Sequence, residues 1–157
     1  MKHQKLYHLV LAALFAALTY VATNIIHVPI PATDGYINLG DCVVLLGAFL
    51  LGPVYGAAAG GIGSALADII SGYAVFAPGT FVIKALIAVI AAAILKALGS
   101  KTKAAPIVAG IAGEAWMLLG YFLYESIFLG YGLAAAGSIG GNAIQAVAGV
   151  ILASALY

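Results

Sequence analysis

Charges are scarce in this chain, and their placement leaves long apolar stretches that only lipid can cover. Charged residues make up 7% of the sequence, against about 25% in a soluble globular domain. The basic residues are all lysines: Lys2 and Lys5 at the N-terminus, and Lys96, Lys101 and Lys103 around one later loop, with Lys84 apart from both. The acids Asp34, Asp41, Asp68 and Glu125 lie near the opposite set of loops, and Lys84 and Glu114 stand inside apolar segments. With 65% hydrophobic residues and a mean hydropathy of +1.17, the apolar excess is too large for a water-soluble core. The chain reads as an all-α integral membrane protein forming one domain over residues 1–157. The first apolar run does not read as a cleaved signal, because the rest is equally apolar.

A spanning helix needs about 20 residues, and the pattern predicts six. The first covers about Tyr7 to Ile26. A polar loop follows from His27 to Gly40, containing Pro29, Pro31 and Asp34. The second, about Asp41 to Leu51, stops at Gly52-Pro53, a helix-ending pair. It is too short to span straight and needs shielding by neighbours. The third runs from about Val54 to Ser71, the fourth from Thr80 to Leu98, the fifth from Ala104 to Tyr124, and the sixth from the Gly-rich connection at 128–137 to about Ala155. Lysine marks the cytoplasmic side, so the N-terminus and the 99–103 turn are inside. An even helix count puts the C-terminus inside too, with the loops at 27–40, 72–79 and 125–137 external.

Close packing through small residues drives helix association in lipid. Ala12 and Ala16 form one such pair on the first helix, and Ala13 and Ala17 a second. Gly56, Gly60 and Ser64 form a stripe on the third helix that Asp68 continues. The sixth has Gly141, Gln145, Gly149 and Ala153. Internal packing accounts for the later stripes, whereas the first helix fits either internal packing or a face that docks another membrane protein.

Ionisable groups within a bilayer cost roughly 2.5–3.5 kcal/mol each on insertion scales, so they face a cavity or a partner. Asp68 and Lys84 each lie about one turn from the outer ends of adjacent helices, close enough to meet as an ion pair. Asn142 and Gln145 share one face of the sixth helix. Glu114, Tyr121 and Glu125 share one face of the fifth, with Glu114 near mid-membrane and Glu125 positioned to be a solvated helix end. Together they describe a polar pocket in the outer half of a bundle, floored by Glu114. Tyr36, Tyr73, Phe76, Trp116 and Tyr121 are available as flat walls for a ring-shaped ligand, and the loop at 27–40 is long enough to form a lid.

No catalytic motif stands out. His3, His8 and His27 do not cluster into a metal site, Cys42 has no second cysteine to pair with, and a net charge of +1 gives no sign of nucleic-acid binding. A membrane-embedded enzyme using Glu114 or Asp68 and an oligomeric channel packed through small residues are the competing classes.

The run from Gly35 through Tyr36, Asn38 and Gly40 to Asp41, then Leu45 to Ala48, Gly52-Pro53, Gly60 to Asp68, Ser71 to Tyr73, Pro78 to Thr80, and Lys84 resembles the substrate-binding S components of energy-coupling-factor (ECF) vitamin transporters. The motifs cover roughly residues 12 to 90, and the helix layout extends the likeness over the chain. The resemblance implies a six-helix S-component bundle in the bacterial plasma membrane, without cofactor or enzymatic activity. Such a subunit captures a vitamin from outside and docks on a transmembrane coupling protein driven by two ABC-type ATPases. It implies that the alanine pairs Ala12/Ala16 and Ala13/Ala17 contact that coupling protein and that the loop at 27–40 gates the site. The expected substrate contacts are Asn38, Asp68, Tyr73, Lys84, Glu114, Tyr121, Asn142 and Gln145. A B6 vitamer or hydroxymethylpyrimidine is the leading expected ligand, followed by riboflavin or a queuosine precursor.

Overall fold

The computed structural model describes residues 2–30, 33–99, 102 and 104–157; Pro31, Lys101 and Lys103 lie outside them. Among the described residues, five helices are long and apolar enough to cross a membrane. The first, α1 (Lys2–Ile25), leads into a short antiparallel hairpin of β1 (His27–Ile30) and β2 (Gly35–Asn38), in which His27 pairs with Asn38 and Ile30 with Gly35. Then follow α2 (Gly40–Ile70), α3 (Ala77–Leu98) and α4 (Ala104–Leu123). A π-helical turn (Tyr124–Phe128) and a 3-10 segment (Gly132–Ser138) connect α4 to α5 (Ile139–Leu156). The expected polar loop at 27–40 is thus mostly paired strand, which satisfies the backbone groups of the paired residues.

The second and third expected helices are joined in one element, α2, because the break between them needs only a single residue. Gly52 adopts φ +77° and ψ −176°, a conformation open to glycine and strained for other residues. Pro53, which has no N–H to leave unpaired, then restarts the helix. The two arms of α2 fold back on each other. A Cβ on Gly56 would come within 2.8 Å of the Ala48 Cα, and one on Gly60 within 2.9 Å of the Val44 side chain. In a straight helix those pairs would be about 12 and 24 Å apart. The small-residue stripe of the second arm therefore divides: Gly56 and Gly60 face the first arm, while Ser64 and Asp68, further along, reach the opposite end of the bundle.

Aromatic contacts show which ends lie together. The His8 ring stacks on Tyr55 with centroids 5.3 Å apart, and the Phe49 ring lies 5.3 Å from Tyr157. The start of α1, the reversal at Gly52 and the end of α5 hence share one end, and the β-hairpin covers the other. The core between them is built from the first arm of α2 with α3, α4 and α5. Leu45, Ile87, Ala88, Ala91, Ala109, Met117 and Ala153 are fully buried there. The alanines permit the close helix approach that substitutes in lipid for a hydrophobic driving force.

Candidate functional site

The hairpin end holds a polar cluster that five elements build together. Its centre is a buried ion pair between the Lys84 ammonium on α3 and the Asp41 carboxylate at the start of α2. Gln145 on α5 donates from Nε2 to the second Asp41 oxygen at 2.5 Å. Its own carbonyl oxygen accepts from the Asn38 backbone N–H at 2.6 Å. Lys84 also reaches the Met117 sulfur at 3.4 Å and lies 5.5 Å from the centre of the Tyr121 ring, near enough for a cation–π attraction. The ion pair leaves neither charge exposed to the apolar surroundings, which makes it tolerable at this depth.

Lys84 therefore pairs with Asp41 rather than with Asp68, contrary to the sequence expectation. The fold-back of α2 brings its first residues against α3, and Asp68 turns instead toward the hairpin. There it accepts the Tyr36 hydroxyl on Oδ1 at 2.5 Å. Tyr36 stacks on His27 with centroids 3.7 Å apart, and Tyr73 tilts against both. Burial pushes the Tyr36 hydroxyl above its ordinary pKa, and the Asp68 charge adds to this. Burial also pulls His27 below its usual 6.5, partly offset by Asp68.

Beneath the hairpin these groups enclose a cavity of about 30 Å³, enough for roughly one water molecule. Asn38, Asp68, Lys84, Tyr121, Asn142 and Gln145 all line it. So do Thr23, Ser64, Thr80 and Glu125; of these, Thr23 stands in no motif or stripe of the sequence. Thr80 and Tyr121 hydrogen-bond through their hydroxyls at 3.0 Å. Glu125 is 2% exposed, and its Oε2 accepts from the Ser138 hydroxyl at 2.6 Å. It is not a solvated helix end, because the wider π-helical turn at Tyr124–Phe128 carries it inward.

Two expected site residues lie elsewhere. Tyr73 packs on the outer side of the hairpin and borders a separate recess with Asp34, Gly72 and Tyr131. Glu114 does not floor the cavity. It is buried, with neither carboxylate oxygen hydrogen-bonded among the described residues, and it borders an apolar groove of about 420 Å³ between α4 and α5. Trp116 packs against the core instead of walling the cavity. No cluster of three metal-ligating side chains exists among the described residues.

A second feature lies along α1. Ala12, Ala13, Ala16 and Ala17 all border an apolar groove of about 530 Å³ between α1 and the second arm of α2. Ala12 is buried and Ala16 half-buried, while Ala13 and Ala17 face outward. Gly63 permits the close contact beneath, since a Cβ there would meet the Ala16 carbonyl oxygen at 2.4 Å.

The sequence model of the family described as ECF-type riboflavin transporter, S component, matches residues 3–157. The chain belongs to this family. An S component is the substrate-binding part of a transporter, not an enzyme, and it associates with an ECF module. The S component is 39% identical over 136 residues to an uncharacterized protein from Pyrococcus woesei, covering 87% of this chain and 89% of that protein. Its fold matches a solved structure reported under "Structure and mechanism of the S component of a bacterial ECF transporter". That match has a TM-score of 0.77 at 24% identity and covers 100% of this chain and 95% of the other. This S component is thus a multi-pass membrane protein with the S-component fold, and its polar cluster lies where five elements of that fold converge.

Proposed function

We propose that the whole chain is a single substrate-binding unit that captures riboflavin at the outer face of the cell membrane and passes it to an ECF module for ATP-driven uptake. The observation that carries this reading is the closed polar cavity beneath the β-hairpin. Hydrogen-bonding side chains from α1, β2, α2, α3, α4 and α5 converge on it, within a protein otherwise packed through alanine and glycine. Riboflavin is favoured over a B6 vitamer, hydroxymethylpyrimidine or a queuosine precursor by the family description that matches the chain.

In this reading the two arms of α2 count as separate passes, which makes six spans with both termini inside. The lysine-bearing end then faces the cytoplasm and the hairpin faces outward. Asn38, Asp68, Lys84, Tyr121, Asn142 and Gln145 contact the ligand. Lys84, Asp41 and Gln145 supply donors and acceptors for the edge of a flat heteroaromatic ring, with Tyr121 and Phe76 alongside. Because the cavity is far smaller than such a ligand, the hairpin has to lift before binding and close afterwards. The Asn38–Gln145 and Tyr36–Asp68 hydrogen bonds are the contacts that open. The α1 groove receives the transmembrane coupling protein of the module, which carries two ABC-type ATPases.

Equilibrium titration of the purified protein with riboflavin, pyridoxine, hydroxymethylpyrimidine and a queuosine precursor tests the reading. One-to-one binding of riboflavin without ATP, tighter than any other member of the panel, is expected. Preference for a pyridine or pyrimidine would replace riboflavin as the substrate. Binding of none of them would remove the transport reading.

A further inference from the structure

Three polar atoms in this cavity lack hydrogen-bond partners among the described residues: the Thr23 hydroxyl, the Ser64 hydroxyl and the second carboxylate oxygen of Asp68. Their side chains are 2%, 2% and 3% exposed, so bulk water does not satisfy them. Leaving a buried donor or acceptor unpaired is costly, and three such atoms bordering one cavity form a coherent group. They come from α1 and from the second arm of α2, opposite the Lys84–Asp41–Gln145 cluster contributed by the first arm with α3 and α5.

We infer that Thr23, Ser64 and Asp68 form a polyol subsite that takes the hydroxylated chain of the ligand, leaving its ring to the Lys84–Asp41–Gln145 side. The inference rests on the riboflavin reading, since riboflavin joins a flat ring to a chain of successive hydroxyl groups. Ser64 and Asp68 are four residues apart on one helix face, about 6 Å along the axis. A short carbon chain with ~1.5 Å bonds spans a similar length. The chemistry is complementary. Each ligand hydroxyl both donates and accepts, as do Thr23 and Ser64, while a carboxylate oxygen only accepts. Tyr36 occupies the first Asp68 oxygen and so holds the second toward the cavity. The same Tyr36 belongs to the hairpin, so closure of the hairpin orients the acceptor that the chain requires. Thr23 is held in place by its approach to Gly40, where a Cβ would stand 2.3 Å from its hydroxyl oxygen.

The test compares riboflavin with lumiflavin, which keeps the isoalloxazine ring and carries a methyl group in place of the hydroxylated chain, on the purified full chain. Wild-type protein should bind riboflavin more tightly than lumiflavin. Ser64→Ala and Thr23→Val should each weaken riboflavin by about tenfold, the size of one lost hydrogen bond to a buried or charged group, and leave lumiflavin unchanged. Thr23→Ser, which keeps the hydroxyl, should retain riboflavin affinity, and this separates loss of a contact from loss of folding. Equal weakening of both ligands, or no weakening of riboflavin, would overturn the subsite. Equal wild-type affinity for the two would overturn it while leaving the riboflavin reading in place. Binding of neither would remove both.

Discussion

The cavity under the hairpin and the groove along α1 are opposites in construction. The cavity holds about 30 Å³, is lined by charged, amide and hydroxyl groups, and is closed by hydrogen bonds that span the chain from residue 38 to residue 145. The groove holds about 530 Å³, is lined by alanine and aliphatic side chains, and lies open. A polar ligand in lipid needs each of its groups matched and water excluded, which calls for many elements and a lid. A helix docking through van der Waals contact needs only a smooth face of small residues. On the proposed function, the molecule separates recognition, which requires movement, from docking, which does not.

The sharpest way to break this division is at its most buried contact. Lys84→Met leaves the Asp41 carboxylate unpaired and should cost about 3–5 kcal/mol, read as a large fall in thermal unfolding temperature together with lost riboflavin binding. Lys84→Met combined with Asp41→Asn should recover much of the stability and none of the binding. If binding returned with stability, the pair would serve the fold alone. The groove should respond in the reverse sense. Ala13→Trp fills its outward face and should abolish uptake in cells while riboflavin affinity of the purified protein stays within a few-fold of wild type. Loss of affinity in that variant would make α1 part of the internal packing that supports the cavity.

Smaller effects sharpen the account of the lid. Tyr36→Phe removes one hydrogen bond to a charged group and should speed riboflavin dissociation by roughly tenfold, measured by stopped-flow fluorescence. An unchanged rate would mean that Tyr36 holds no part of the closed state. The least effect is expected from pH. His27 is held below its usual 6.5 by burial, so the closed hairpin binds fewer protons than an open one. Closure is then fully stabilised above 6.5 and weakens as pH falls through 6.5 toward the lowered value. Hydrogen exchange over residues 33–38 should be faster at about pH 5.5 than its intrinsic acid–base trend predicts, and His27→Phe should remove the excess.

Much of this was readable in the sequence, for reasons that particular residues make plain. Apolar length located the helices, Gly52-Pro53 located the reversal, and the rarity of charge in lipid drew attention to Lys84, Asp68, Asn142 and Gln145. The partner of Lys84 was not readable. Asp41 lies 43 residues away in the chain and reaches it only because α2 folds back, which periodicity along a helix does not reveal. Thr23 carried no signal either, and Ser64 and Thr80 stood out only as members of a small-residue stripe and of family-like runs, since single hydroxyls are common in membrane helices and become informative as polar groups only when a fold leaves them buried beside one another. Glu114 shows the converse. Its depth identified it as exceptional, but depth does not specify azimuth, and the fold turns it to the α4–α5 groove. The alanine face was legible as a pattern, yet its division into a buried Ala12 and an outward Ala13 and Ala17 depends on where the second arm of α2 lies.

In the proposed function the ligand binds beneath the hairpin and not in the α4–α5 groove beside Glu114. Equilibrium binding of riboflavin to Gln145→Met and to Ala115→Trp tests it most directly, because the first strips the cavity of two hydrogen bonds and the second fills the groove. Binding should fall by about a hundredfold in Gln145→Met, as two bonds at roughly tenfold each imply, and remain at the wild-type level in Ala115→Trp. Retained binding in the first with loss in the second would place the ligand in the groove and contradict the account.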